Sequence, residues 1–244
     1  MMNNTERMQA FEEFVDVCNS TKYGEVQLVG QGNPLADILL VGMEPAIDPK
    51  DKTPEDIIRI NAEHCKNTEN YGGTRPRADF NGNHTWIVYQ KLIDYIRHGS
   101  PKKEPILDFE KYAFTTEMNN WVGKKKVINS SNRDLFEEKL AQRRKLFKEA
   151  TFIQDFPVVI LGCSNYIINF NDIRQIDDTF DVKFIQEFEV KTPKDASYKF
   201  WTHNSSDGKR LVIHTRQLSG AIPNIFLESM AQVIKKHLEK VKDN

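Results

Sequence analysis

The chain predicts an α/β fold, and three observations carry that expectation. Short, mostly apolar runs recur at residues 36–41, 157–161 and 210–213, too short for helices and apolar enough for strands buried on both faces. Between them lie longer segments with apolar residues at helical spacing. Strands and helices therefore alternate, the pattern of an α/β domain, and no internal repeat, low-complexity tract or linker interrupts it, so residues 1–244 are expected to form one domain.

The elements follow in order. Residues 8–17 place Phe11, Phe14 and Val15 on one helical face. Gly30, Gly32 and Pro34 mark a turn before the first strand, residues 36–41. Thr53, Pro54, Glu55 and Asp56 suit a helix start: a cap, a proline in the first turn, and acids at the positive end. Residues 67–83, rich in Gly, Asn and Arg, predict a long loop, which in a compact domain is often functional. Thr85 is the expected cap of the next helix, whose apolar face carries Trp86, Tyr89, Leu92, Ile93 and Ile96. A strand is expected at 112–116, ending near Glu117 and Asn119. Ser131 with Asp134 predicts a capping box for a helix reaching about Ala150. Residues 158–161 and 182–190 predict strands, 198–213 a hairpin turning at Ser206, Asp207 and Gly208, and 222–241 a closing helix.

Composition bounds the function classes. With 244 residues, 39% of them hydrophobic, the chain can bury roughly 70–75% of its unfolded surface. The net charge of -1 names no partner. No apolar run spans a bilayer, and the first residues lack the apolar segment of a secretory signal, so a cytoplasmic protein without membrane contact is expected. Cys18, Cys65 and Cys163 are too few and too scattered for a disulfide framework or a closed zinc site. His64 beside Cys65 lacks partners in sequence for a metal site, and no metal is expected. Cys163 fits a small core residue.

Two strand ends hold the candidate chemistry. The first strand stops at Gly42-Met43-Glu44-Pro45-Ala46, and a late strand at His214-Thr215-Arg216-Gln217-Leu218-Ser219. In open α/β sheets ligands bind outside the carboxyl ends of the strands. A carboxylate held between Gly42 and Pro45 can orient or deprotonate a water. An imidazole can donate to an oxygen that gains negative charge. Taken singly, Glu44 fits a turn cap and His214 a hydrogen-bonded strand-end histidine.

These residues resemble the motifs of the uracil-DNA glycosylase superfamily. Residues 42–45 are similar to its first motif, Gly-x-Asp/Asn-Pro after the first core strand. Residues 214–219 are similar to its second, which begins with His and carries Leu-Ser. Gly32-Asn33-Pro34 and the 112–119 segment resemble further pieces, in order, from about residue 25 to 240. The resemblance implies a three-layer α/β/α sandwich with a central, mainly parallel sheet. It also implies roles: Glu44 positions water, and His214 hydrogen-bonds the departing base. Met43, Phe80 and Asn119 hold that base, with Asn120 a second match for the reading Asn. Leu218 is the wedge filling the duplex, with Arg216 and Ser219 on the DNA. Base flipping requires such parts, because the glycosidic bond is out of reach inside a stacked helix.

The departures are specific. Glu44 replaces Asp or Asn, and a misplacement of ~1 Å can cost ~100-fold in rate. Ala46 stands where several branches carry Gly or Tyr, and Thr215-Arg216 replaces Pro-Ser. Branches with an iron–sulfur cluster use four cysteines, so no cluster or other cofactor is expected here. Residues 121–148 hold nine bases and three acids, a local balance of 9 − 3 = +6. That suits a phosphate backbone or, equally, a solvated helix face. Arg75, Arg77, Trp121 and Trp201 are further candidate contacts with DNA or bases. The expectation is a monomeric, monofunctional DNA glycosylase. The alternatives are a binding module that recognises a base without cleaving it, and an unrelated hydrolase lacking both a Gly-x-Ser-x-Gly elbow and a P-loop.

Overall fold

The computed structural model describes residues 2–44, 53–67, 71–80, 82, 84–121 and 131–242. Pro45, Ala46 and Lys124 to Lys126 lie outside them. Helix α1 (Asn4–Asn19) starts from a capping box: the Asn3 side chain accepts from the Thr5 and Glu6 amides, and Glu6 returns a bond to the Asn3 amide. The turn expected at 30–34 contains a short strand, β1 (Gln31–Gly32). Gly32 has φ 106°, and a Cβ there would collide with the Ala113 carbonyl oxygen, so only glycine lets this strand close on its neighbour.

Strand β2 (Ile38–Gly42) precedes helix α2 (Pro54–Lys66), where Thr53 and Asp56 form the expected reciprocal cap. The described part of the 67–83 segment holds β3 (Arg75–Pro76) and a 3-10 turn at Arg77–Asp79. Helix α3 (Thr85–His98) is capped by His84, whose Nδ1 accepts from the Trp86 amide at 3.2 Å. Thr85 is thus the first helical residue and not the cap, because His84 offers the acceptor one position earlier. Strands β4 (Ile106–Leu107) and β5 (Phe114–Glu117) follow. Helix α4 (Arg133–Glu149) begins after Asn132, so Ser131 stands one residue short of the cap position and the expected box with Asp134 does not form. Helix α5 (Thr151–Gln154) leads into β6 (Val158–Leu161). Then come the small hairpin β7 (Asn169–Phe170) and β8 (Ile173–Arg174), helix α6 (Gln175–Phe180) and β9 (Lys183–Lys191). Strands β10 (Ser197–Asn204) and β11 (Leu211–Thr215) make the expected hairpin, and α7 (Asn224–Lys242) closes the chain.

Among the described residues seven strands form one sheet in the order β1-β5-β2-β6-β11-β10-β9. Its four central strands, β5, β2, β6 and β11, are mutually parallel. The flanking strands β1, β10 and β9 pair antiparallel. Alternation along the central strands sorts their side chains into two cores. Leu39, Val41, Val159, Leu161 and Val212 face α1, α4, α5 and α6. Ile38, Leu40, Val158, Ile160 and Ile213 face α3 and α7. The result is a sheet between two helical layers, with the central strands buried on both sides.

The parallel centre puts the C-terminal ends of β2, β5, β6 and β11 at one edge. After β6 the chain passes to α6 on the first face; after β11 it passes to α7 on the second. Neighbouring strand-end loops that leave toward opposite faces mark the usual ligand position in such sheets.

Candidate active site at the sheet edge

Gly42 belongs to β2 and pairs with Glu117 of β5. A Cβ at position 42 would strike the Glu117 carboxylate, so glycine here makes room for that carboxylate rather than bending the chain. Glu117 Oε2 is sealed from water without a hydrogen-bond partner. Burial first, and the nearby Glu44 second, push the Glu117 carboxyl from its ordinary 4.5 up to about 8, against the pull of Arg143. Glu117 is therefore neutral at pH 7. The fully buried Arg143 bonds the Glu117 carbonyl through Nε (2.9 Å) and the Thr116 hydroxyl through Nη2 (2.6 Å), which fixes this strand end.

Glu44 lies two residues beyond β2, part-buried, and its Oε2 accepts a hydrogen bond from the Tyr166 hydroxyl. Tyr166 packs edge-on against Phe136 of α4 and belongs to a 3-10 turn, Ser164–Tyr166, that follows β6. The other end of this turn holds the late motif. His214, at the end of β11, bonds the Ser164 carbonyl through Nε2 at 2.6 Å. A carbonyl only accepts, so Nε2 carries the proton and Nδ1 is left with the lone pair. The Ser164 hydroxyl accepts from the Gln217 amide at 3.0 Å. Ser164 itself has φ 53°, a left-handed conformation that a serine rarely adopts, held by both contacts. Burial lowers the His214 pKa from 6.5, the Ser164 carbonyl opposes that shift, and the imidazole is neutral.

One turn thus holds the early acid and the late imidazole at one edge of the sheet. Two carboxyls in contrasting settings, Glu44 accepting a phenolic hydrogen bond and Glu117 desolvated and protonated, are the pattern that separates acid from base roles. In the sequence Glu117 reads only as a strand end and Arg143 only as one of nine bases, and Tyr166 and Ser164 are not singled out. A carboxylate at the last position of an apolar strand was the available signal for Glu117; nothing local marks the others.

The remaining expected residues are placed differently. Met43 is buried and points into the α1 and α4 core. Phe80 packs on the His84 and Trp86 rings, against the core of the opposite face. Asn119 is 0% exposed; its amide donates to the Phe136 carbonyl and its oxygen accepts from the Trp121 amide, so both functions are satisfied internally. Asn120 is spent likewise on the backbone of Val26 and Leu28. Leu218, expected as a projecting wedge, is 1% exposed and lies over Gly162, where a Cβ would meet it at 3.2 Å. In this conformation it is a core side chain. Arg216 is exposed, with its guanidinium 5.5 Å from the Tyr198 ring centre, and Ser219 is part-exposed.

The basic segment is also less available than its charge suggests. Arg143 is buried, Arg144 bonds the Tyr166 carbonyl, and Lys139 pairs with Glu25. Arg75 stacks on Trp86 and meets Glu110, and Arg77 bonds the Lys102 and Glu104 carbonyls. Trp121 packs on Phe136. Among the described residues no group of three or more His, Cys, Asp or Glu could hold a metal ion, and all three cysteines are free and buried. Among the same residues, no helix is long and apolar enough to cross a membrane.

The class these features define is a three-layer α/β protein with an acid and an imidazole at the C-terminal edge of a parallel sheet centre. No family model matches the chain, and no curated protein matches its sequence.

Proposed function

We propose that this chain is a DNA glycosylase that hydrolyses the N-glycosidic bond of uracil or a related damaged base after flipping it from the duplex. Glu44 orients the attacking water and takes its proton, with Tyr166 as the residue that positions its carboxylate. His214, held neutral by burial, shifts its Nε2 hydrogen bond from the Ser164 carbonyl to the base oxygen as the base leaves as an anion. Protonated Glu117 keeps a second negative charge away from Glu44. Arg216 and Ser219 lie on the loop that would meet the DNA backbone. The observation that supports this reading is the convergence of Glu44 and His214 on the 164–166 turn at a strand edge suited to ligands.

A second reading, base recognition without cleavage, has its own support. Glu44 and His214 are both engaged within the protein, and Asn119 and Leu218 are withdrawn from the surface. One experiment separates the two. Purified protein is incubated with oligonucleotides carrying uracil, hypoxanthine or xanthine, and abasic sites and DNA binding are both measured. Excision by wild type that is lost in folded Glu44→Gln and His214→Ala variants supports the glycosylase. Salt-dependent binding without excision supports recognition alone. Intact oligonucleotides with no binding at low salt contradict both.

A further inference from the structure

A cavity of about 1100 Å³ opens beside the sheet edge, and of the residues in the two motifs only His214 lines it. Its floor is the first face of β10 and β11, and its other walls are the β7–β8 hairpin, α6 and the start of β9. His214 of β11 contributes to the floor, but Glu44 does not line the cavity. The hairpin register sets the floor: Trp201 pairs with His214, and His203, two residues on, projects to the same side.

The floor and rim are aromatic. Trp201 lies 5.4 Å from the His214 ring at a tilt of 30°, and its Nε1 donates to Glu187 at 2.7 Å, which fixes the indole. Phe184 meets the His203 ring edge-on at 5.7 Å while itself half exposed. Phe170, on the rim, is 65% exposed.

Within this aromatic setting lies a buried polar pair. His203 is 1% exposed, and its Nδ1 donates to Asp177 Oδ1 at 3.1 Å; Asn169 donates to the same oxygen at 2.6 Å. With the proton on Nδ1, Nε2 is an acceptor, and it has no partner. An unsatisfied buried acceptor is costly unless something supplies a donor. The charges around the cavity are Asp177, Asp178 and Asp181 against Arg174 and Lys183. That balance disfavours an anion and favours a neutral or cationic guest.

We propose that this cavity is a second binding site, for a planar aromatic small molecule bearing an N–H or O–H donor. The ring lies against Trp201 and Phe184, and the donor reaches His203 Nε2 as Phe184 swings aside. Asp177 and Asn169 position the imidazole. The site borders the His214 ring of the glycosylase proposal but does not rest on that proposal, and it stands if excision fails.

The test uses 2-aminobenzimidazole, a planar donor-bearing heteroaromatic, with phenyl phosphate as the anionic counterpart, in calorimetric titrations of the intact protein. Saturable one-to-one binding of the first, weaker binding of the second, and a loss of about tenfold or more in His203→Phe are expected. Trp201→Leu, which leaves the buried pair in place, should weaken binding too, and Glu44→Gln should not. No saturable binding to folded wild type overturns the proposal. So does undiminished binding in either His203→Phe or Trp201→Leu. If His203→Phe does not fold, the Trp201→Leu titration decides.

Discussion

Gly42 and Glu117 face each other across the β2–β5 ladder, and each explains the other. The carboxylate occupies the space a side chain at 42 would need, and its protonation is the cost of being buried beside Glu44. Between pH 4.5 and about 8 the folded chain holds a proton on Glu117 that the unfolded chain has released, so this group's contribution to stability falls as pH rises through that window. The slope approaches about 1.4 kcal/mol per pH unit. Glu117→Gln should flatten this decline when urea midpoints are compared from pH 5 to 8; an unchanged slope would mean the carboxyl is ionised. Gly42→Ala should lose on the order of 2 kcal/mol or more through overpacking, and Glu117→Ala in the same chain should restore most of it. Additive losses in the double variant would show that the two positions do not touch. At this scale the sequence was legible only in part. Glu44 and His214 stand out because punctuation follows an apolar run. Asn119 does too, yet its amide is consumed by the Phe136 carbonyl and the Trp121 amide. Those partners are local packing facts that no motif displays.

The longer strands were the most legible elements, while the two-residue strands β1, β3, β4, β7 and β8 were not expected. Residues 158–161 are a strand at the expected limits, and 182–190 and 198–213 differ from β9, β10 and β11 by a residue or two. Runs such as 158–161, buried on both faces, have no alternative use in a chain of this composition. Helix caps were less legible, since His84 displaces Thr85 and α4 begins beyond the Ser131 box. A cap is decided by one side-chain rotamer, whereas a strand is decided by its whole length. The β11–α7 loop shows how an element can hide a residue's setting. Leu218 follows a polar stretch, yet the loop folds it onto Gly162 and into the α7 core. Leu218→Ala should therefore lower stability by about 2–5 kcal/mol in thermal or urea unfolding. A variant as stable as wild type would instead point to an exposed side chain.

For the molecule as a whole, the α/β class followed from the alternation of periodicities. The sheet order did not, because strands far apart in sequence, β5 and β1 or β2 and β6, meet only through tertiary packing. The cavity under β10 was illegible for the same reason: Trp201, His203 and His214 come together only once the hairpin register is set. Burial lowers the pKa of His84, His203, His214 and His237 from 6.5. Below pH 6.5 the unfolded chain binds protons at these positions that the fold refuses, so stability should fall as pH drops from 6.5 toward 5. Glu117 acts in the opposite sense from pH 4.5 to about 8, but below pH 6.5 four histidines outweigh one carboxyl, so urea midpoints should peak near pH 6 to 7. A midpoint that rises steadily toward acid would contradict the buried neutral histidines. The central claim is that Glu44 and His214, brought to one edge by the 164–166 turn, serve one reaction. Single-turnover release of uracil from a uracil-containing oligonucleotide tests it most directly. The account predicts release by wild type and a fall of about 100-fold or more in folded Glu44→Gln and His214→Ala. Release at the wild-type rate from either variant would contradict it.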